Sequence, residues 1–250
     1  MSIKEIWKKT WSVPAKRKQL IAIAVLIPVF FSALPFFFNY VEKRRGVMLN
    51  DLILAQIPPH NVSVLIFAFI WGMILLVLYR ALFNPSIFIT YCVALAFVTT
   101  ARVICIALVP LAPPAGLIPL SDPLTGIFYG EASITKDLFF SGHTALLTLI
   151  YLCLERKTDK LLALVSVISV AILLAVQHIH YSIDILAAPV IVFVLHRFTV
   201  YLLDGKKRRR SINALIGIKR RVYRLKQVDN DGQTDKKKRR HIEKSLTVIE

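Results

Sequence analysis

Six long blocks of apolar residues constrain this chain more than any other feature of its sequence. A helix needs roughly 20 mostly apolar residues, each rising about 1.5 Å, to cross the hydrocarbon core of a bilayer. Hydrophobic residues make up 56% of the 250 residues, well above the usage of soluble proteins. The blocks lie near residues 19–41, 62–80, 86–111, 138–154, 160–178 and 182–203. We therefore expect an all-α integral membrane protein with six transmembrane helices.

Two of these blocks are irregular. Pro28 and Pro35 interrupt the first block and predict kinks, which neighbouring helices can accommodate. A cleaved signal peptide is the alternative for this block, but a signal sequence is shorter and ends at a small-residue cleavage site, whereas this block continues through Tyr40. The fourth block is short and carries an SGH segment near its start, so we expect its first turn to lie in a protein-lined cavity.

The distribution of basic residues predicts the orientation of the chain. Lysines and arginines precede the first block, separate the fourth from the fifth, and follow residue 205. With six spans these clusters all fall on one side, which the positive-inside rule makes cytoplasmic. Lys43-Arg44-Arg45 in the first outer loop is the exception, and it is either a phosphate-attracting group or a solvated, headgroup-bound run of charge.

The same charges divide the chain into three segments. We expect a basic cytoplasmic N-terminal segment at 1–18, a membrane domain at 19–203, and a basic, partly disordered cytoplasmic tail at 204–250. A formal net charge of +17 is typical of nucleic-acid binding. Here the basic runs flank the spans, so we expect no nucleic acid and an anionic lipid surface as partner of the tail. Between about 212 and 222 the tail has the pattern of a short interfacial helix.

The three cysteines do not indicate a metal site or a disulfide. Cys92, Cys105 and Cys153 are far apart within the apolar blocks, without CxxC spacing and without a histidine nearby in sequence. Free cysteines that pack as small apolar residues are the favoured interpretation. We expect no metal and no cofactor.

Two imidazoles and a carboxylate lie at the ends of the apolar blocks. His143 lies in the segment 140–144 (FSGHT), and His180 and Asp184 lie in the segment 180–184 (HYSID). An ionisable side chain at membrane depth costs on the order of 2.5–3.5 kcal/mol on insertion scales, so three of them together indicate a site. The six-span arrangement places this site at the outer leaflet.

The spacing of these residues predicts acid–base and nucleophilic chemistry. If the chain is helical from about Ser182, then His180 and Asp184 share one face. The carboxylate can hold one imidazole nitrogen and leave the other free to attack an electrophile. His143 is the natural acid for the leaving group and base for the incoming one. The alternative for Asp184 is a charge that complements a helix dipole.

Further polar residues are candidates for holding phosphate. Arg102 is the only basic residue of the third block, and its guanidinium can hold two phosphate oxygens. Its alternative is a structural pair with Asp122 or Asp137. Ser141 either caps the fourth helix or donates to phosphate, and with Gly142 it opens that helix, where backbone N–H groups attract anions.

Two residues beside the HYSID segment have less defined interpretations. His178 either contacts a lipid headgroup or is an interfacial histidine without a role. Tyr181 fits the aromatic belt of a membrane protein.

These motifs together resemble the sphingomyelin synthase branch of the type 2 phosphatidate phosphatase superfamily, over about residues 47 to 200. The residues that carry the resemblance are Leu49-Asn50-Asp51 with Ile57-Pro58-Pro59, Arg102 with the run 109–113, the run 137–144, and His180-Tyr181-Ser182-Ile183-Asp184. The resemblance implies that His180 is a nucleophile that forms a phosphohistidine and that Asp184 supports it. It also implies that His143 serves the leaving and accepting oxygens, without metal.

The chain departs from the family at several positions. No KxxxxxxRP element precedes the SGH segment, Leu174 stands where the phosphatases have an arginine, and Thr135-Lys136 replaces the Cys-Gly pair of the synthases. The expected function is transfer of a phospho-headgroup from a phospholipid to ceramide or diacylglycerol. The alternatives are a phosphatase or phospholipase C-like hydrolase that uses water, and a non-catalytic scaffold or transporter. The Pro- and Gly-rich loop at 112–137 either covers the site or only connects two spans.

Overall fold

The computed structural model describes residues 1–120 and 134–204. The helices within these residues are α1 (Ile3–Ser12), α2 (Pro14–Lys43), α3 (Ser63–Phe83), α4 (Pro85–Leu108), α5 (Gly142–Cys153), α6 (Lys157–Val176) and α7 (Ser182–Asp204). A short 3-10 helix spans Leu54–Gln56. The described residues contain no β-strand, and the expected interfacial helix at 212–222 lies outside them.

Five of these helices, α2, α3, α4, α6 and α7, are long and apolar enough to cross a membrane. The chain is therefore an all-α, multi-pass membrane protein by the length and composition of its helices. The fourth predicted block differs from the expectation, because its helix begins at Gly142 and not at 138. At 12 residues α5 is too short to cross a bilayer alone. Within residues 1–120 and 134–204, five helices are thus long enough to span a membrane, and α5 is a shorter apolar helix.

The enclosure of α5 explains how so short an apolar helix is accommodated. None of its residues is exposed, and it packs against α3, α4 and α6. Leu147, Leu149 and Ile150 are buried in the core that these helices share. A helix that is apolar on all sides and covered by protein does not need to match the thickness of the lipid.

The N-terminal part of the chain is more regular than the sequence indicated. Residues 1–18 contain α1, whose start is a capping box in which Ser2 and Glu5 satisfy each other's backbone N–H groups. Helix α2 continues through both Pro28 and Pro35 as one element of 30 residues.

Polar contacts define the two ends of the bundle. At one end Arg80 of α3 makes a bidentate ion pair with Asp159 of α6, with N···O distances of 2.7 and 3.1 Å. At the other end three connections meet: the 44–62 loop, the 109–120 segment and the α6–α7 connector at residues 177–181. Backbone hydrogen bonds join them, including those from His60 N to Val176 O and from Ile118 N to Gln177 O.

Candidate active site

His180 and Asp184 lie together at the start of α7, as their spacing predicted. Asp184 is the third residue of the helix, and its Oδ2 lies 3.6 Å from Nδ1 of His180. The same oxygen accepts a hydrogen bond from the backbone N–H of Tyr181 at 3.1 Å. Both interpretations of Asp184 from sequence therefore apply, since its carboxylate lies beside the His180 imidazole and also accepts a free backbone N–H at the start of the helix.

The geometry distinguishes the two nitrogens of the His180 ring. Nδ1 is directed to the carboxylate, at a distance longer than a hydrogen bond, and both side chains are almost completely buried. Oδ1 of Asp184 has no hydrogen-bond partner among the described residues. The carboxylate thus keeps the capacity to accept the Nδ1 proton, and in that tautomer the lone pair of the ring lies on Nε2.

His143 lies opposite His180 on α5. The two ring centroids are 6.4 Å apart and the ring planes are inclined by 61°. Phe67 of α3 packs edge-to-face against the imidazole of His143, with 6.2 Å between the two ring centroids. Nδ1 of His143 is buried and has no hydrogen-bond partner within the described residues. The two imidazoles are therefore neighbours at the starts of α5 and α7.

Ser141 joins the two helices that carry the histidines. Its hydroxyl accepts from the backbone N–H of Thr144 at 3.5 Å, so it caps α5. Its own N–H donates to the backbone oxygen of Asp184 at 3.1 Å. The start of α5 is therefore held against the start of α7.

Arg102 of α4 lies against the start of α5. Its Nε donates to the carbonyl of Phe140 at 3.0 Å, and its Nη2 donates to Asp137 at 2.6 Å. The pair with Asp137 is the structural alternative that the sequence left open, and Asp122 lies outside the described residues. The position is also suited to phosphate, because the guanidinium is next to the first amides of the helix that carries His143.

The basic residues near the first loop cap helices. Arg44 donates to the carbonyl oxygens of Ile106 and Ala107 at the end of α4, and Lys136 donates from Nζ to the carbonyl oxygen of Glu42 at 2.5 Å. The free carbonyls at a helix C-terminus attract cations. The sequence left two interpretations of Lys43-Arg44-Arg45, a phosphate-attracting group or a solvated, headgroup-bound run of charge. Arg44 fits neither of them, because its guanidinium caps the C-terminus of α4.

The connector between α6 and α7 holds two residues whose interpretation from sequence was wrong. His178 is buried, with Nδ1 2.8 Å from the carbonyl oxygen of Ala115 and Nε2 2.8 Å from that of Ile57. Tyr181 is only 1% exposed, which excludes an aromatic-belt position. Its hydroxyl donates to Ala112 O at 2.9 Å and accepts from Leu49 N at 3.1 Å.

Asp51 is the polar residue that sequence reasoning missed. Its carboxylate accepts from the backbone N–H and the hydroxyl of Ser182, at 2.6 and 3.1 Å, and from the N–H groups of Ile53 and Leu54. Burial raises the pKa of this carboxyl, but the hydrogen bonds from Ser182, Leu54 and Ile53 outweigh burial and lower the pKa below its usual value of 3.8. Its only signal in the sequence was its place in the Leu49-Asn50-Asp51 motif.

A groove of about 730 Å³ lies between the 44–62 loop, the 109–120 segment and the connector. Asp51, His178 and Tyr181 line it, whereas His143 and His180 do not. It therefore lies beside the connector and apart from the two histidines. Within the described residues, no three His, Cys, Asp or Glu side chains lie close enough together to hold a metal ion.

Comparison with known proteins concerns the part of the chain that carries both histidines. Residues 136–202 match the family model of the PAP2 superfamily C-terminal domain. The match supports the type 2 phosphatidic acid phosphatase superfamily. It indicates phosphatase or phosphotransferase chemistry on lipid phosphates and does not distinguish the sphingomyelin synthase branch. No curated protein matches the chain.

Proposed function

We propose that this protein is a membrane lipid phosphotransferase that moves a phospho-headgroup to a lipid alcohol through a phosphohistidine. The observation that carries the proposal is the position of His180, which has Asp184 beside its Nδ1 and the ring of His143 across a gap of 6.4 Å between centroids. This is a nucleophile with an orienting carboxylate on one side and an acid–base group on the other.

In the first step Nε2 of His180 attacks the phosphorus of a phospholipid. The N–P bond forms as the bond from phosphorus to the leaving alkoxide breaks, and protonated His143 gives its proton to that oxygen. Asp184 stabilises the positive charge that the His180 ring acquires. Arg102 and the first amides of α5 are positioned to stabilise the charge on the other phosphoryl oxygens.

In the second step the acceptor attacks the phosphohistidine. Neutral His143 takes the proton from the acceptor hydroxyl, the new O–P bond forms, and the N–P bond to His180 breaks. Both residues return to their starting states, so His143 alternates between acid and base without another proton donor.

The acceptor divides the two enzymatic hypotheses. With ceramide or diacylglycerol as acceptor the protein is a headgroup transferase, and with water it is a phosphatase or phospholipase C-like hydrolase. Leu174 in place of an arginine and the missing KxxxxxxRP element favour transfer. Thr135 and Lys136 in place of Cys-Gly keep hydrolysis open. In this structure both residues donate backbone N–H groups to the carboxylate of Glu42 on α2.

The acceptor can be identified by the product. Purified protein in detergent receives labelled phosphatidylcholine or phosphatidylethanolamine, with and without ceramide or diacylglycerol. We expect a new phospholipid only when the lipid alcohol is present. Release of free phosphate from phosphatidate, unaffected by added alcohol, would replace the transferase by the phosphatase.

Two variants separate an enzyme from a scaffold or transporter. His180→Ala is expected to abolish turnover and phosphoprotein formation. His60→Gln is the matched control, because the His60 ring is exposed and its Nδ1 lies 2.8 Å from the carbonyl oxygen of Pro58 in its own loop. If His180→Ala keeps the turnover of wild type, as the His60→Gln control is expected to, the phosphohistidine mechanism is excluded.

A further inference from the structure

The connector that carries His180 is held by a distant part of the chain. Among the contacts that the 44–62 loop makes with the connector and the first residue of α7 are these three: Ile57 O with His178, Leu49 N with the Tyr181 hydroxyl, and Asp51 with Ser182. These partners are more than a hundred residues apart in sequence. Of the three, only the contact of Asp51 uses a charged side chain.

Asp51 accepts a hydrogen bond from a free backbone N–H at the start of α7, which is a role that the N-cap residue next to the helix normally fills. Ser182 is the first residue of α7, so its N–H is one of the donors that the helix cannot satisfy itself. The residue before it is Tyr181, whose side chain is not a cap and is bound elsewhere. Asp51 supplies the missing acceptor at 2.6 Å and also accepts from the Ser182 hydroxyl.

Two carboxylates thus fix the backbone immediately after the nucleophile. Asp184 accepts the N–H of Tyr181, and Asp51 accepts that of Ser182, so the two amides that follow His180 are both bound to carboxylate oxygens. A carboxylate is the strongest acceptor for a backbone N–H. The direction of the chain at His180 is therefore set by both acids together.

We propose that Asp51 is a positioning residue that places His180 for attack, through the amide and hydroxyl of Ser182. This inference rests on the proposed function. The distance from His180 Nδ1 to Asp184 is 3.6 Å, just beyond a hydrogen bond, so a small shift of the connector decides whether that bond forms. A displacement of about 1 Å at a reacting group costs on the order of 10²-fold in rate.

Other contacts hold the loop in place without Asp51. Val47 pairs with the 109–120 segment through hydrogen bonds from Val47 N to Pro110 O and from Ala112 N to Val47 O. Leu49 N and His60 N also bind outside the loop, to Tyr181 and to Val176. A substitution at Asp51 should therefore loosen the start of α7 without detaching the loop.

The test compares Asp51→Asn, Asp51→Ala, Asp51→Glu and Ser182→Ala in the full-length protein. We expect Asp51→Ala to lower kcat about 10- to 100-fold and to slow His180 phosphorylation by the same factor, with KM for the phospholipid donor within about twofold of wild type. Asp51→Asn is expected to fall between Asp51→Ala and wild type, because its amide oxygen still accepts one bond. Asp51→Glu is expected to recover part of the rate.

The matched control is Asn50→Ala, at the neighbouring exposed position of the same loop. We expect its kcat and its rate of His180 phosphorylation to equal those of wild type. Ser182→Ala keeps the amide contact and loses the hydroxyl contact, so a smaller decrease in kcat is expected than for Asp51→Ala.

Two results would overturn the inference. The first is a folded Asp51→Ala protein with the kcat of wild type. The second is a decrease in kcat that is fully explained by the fraction of unfolded protein. If His180→Ala is inactive while Asp51→Ala is normal, only the positioning role fails. If His180→Ala also retains turnover, the proposed function itself fails.

Discussion

Gly142 lies directly against the guanidinium of Arg102. A Cβ at this glycine would lie 2.6 Å from Cζ and from Nη1 of the arginine, a distance that would force the guanidinium to move. The absence of a side chain at the start of α5 is therefore what allows a cation from α4 to lie beside the first amides of that helix.

Gly142→Ala is expected to displace Arg102 and lower kcat about 10- to 100-fold, because a misplaced phosphate ligand acts as a misoriented reactant. The measurement is steady-state turnover of folded, purified protein. Gly72→Ala is the control, since a Cβ there meets nothing within 4 Å and Gly72 lies within α3. A Gly142→Ala enzyme with wild-type kinetics would show that catalysis does not depend on the position of the Arg102 guanidinium against Gly142.

Arg102→Lys should impair catalysis although it keeps the charge. A lysine cannot reproduce the planar fork that binds Phe140 O and Asp137 and offers two donors to one phosphate. The check is kcat/KM for the phospholipid donor in Arg102→Lys and Arg102→Gln. If folded Arg102→Gln keeps wild-type kinetics, other groups must neutralise the phosphate and the role of Arg102 is structural.

His143→Ala is expected to slow both chemical steps by about 10²–10⁴-fold, the usual contribution of one acid–base group. Single-turnover experiments separate formation of the phosphohistidine from its breakdown. Asp184→Asn should retain only traces of activity, because the amide cannot stabilise a cationic ring. Turnover should persist in the presence of a chelator, and a strict need for a divalent ion would contradict this mechanism.

The orientation predicted by the basic clusters can be tested by cysteine labelling. Ala115 is an exposed residue of the 109–120 segment, and Thr158 is an exposed residue at the opposite end of the bundle, at the start of α6, so the two test positions are Ala115→Cys and Thr158→Cys. An impermeant thiol reagent should label only the first in sealed cells and both after permeabilisation. The reverse result would place the two histidines on the cytoplasmic side.

Asp51 predicts a pH dependence of stability. Its pKa is lowered on folding, so its contribution is present above the unfolded value near 3.8 and is lost as the pH falls through the lower folded value. Thermal unfolding in detergent should show a lower Tm for Asp51→Asn than for wild type at pH 6. The difference should shrink below about pH 4. If the difference in Tm between wild type and Asp51→Asn is constant down to pH 3, the stability does not depend on the ionised form of Asp51.

The positions of the long helices followed from the sequence because hydrophobic length is a local property. Helix α4, for example, begins at Pro85 and ends at Leu108, close to the expected 86–111. The proximity of His180 to Asp184 also followed from local spacing. The start of α5 did not, because Ser141 takes the cap position and leaves the apolar residues before it outside the helix.

The contacts that tie the loops together were beyond sequence reasoning. The Asp51–Ser182 contact and the contact of His178 with the Ile57 carbonyl join residues more than a hundred positions apart, and no periodic pattern reports such a distance. Tyr181 shows the same limit, since a tyrosine at a helix end looks identical in sequence whether it faces lipid or is buried with two partners.

The short length of α5 predicts the depth in the membrane at which the proposed chemistry takes place. Twelve residues extend about 18 Å, whereas the hydrocarbon core is about 30 Å thick, so the helix leaves about 12 Å of that depth without helical structure. His143 lies at the start of this helix, and we therefore expect it to be recessed below the bilayer surface. A lipid would bring its phosphorus down to this level while its tails stay in the membrane, and there the low dielectric strengthens each contact between the phosphate and a charged group.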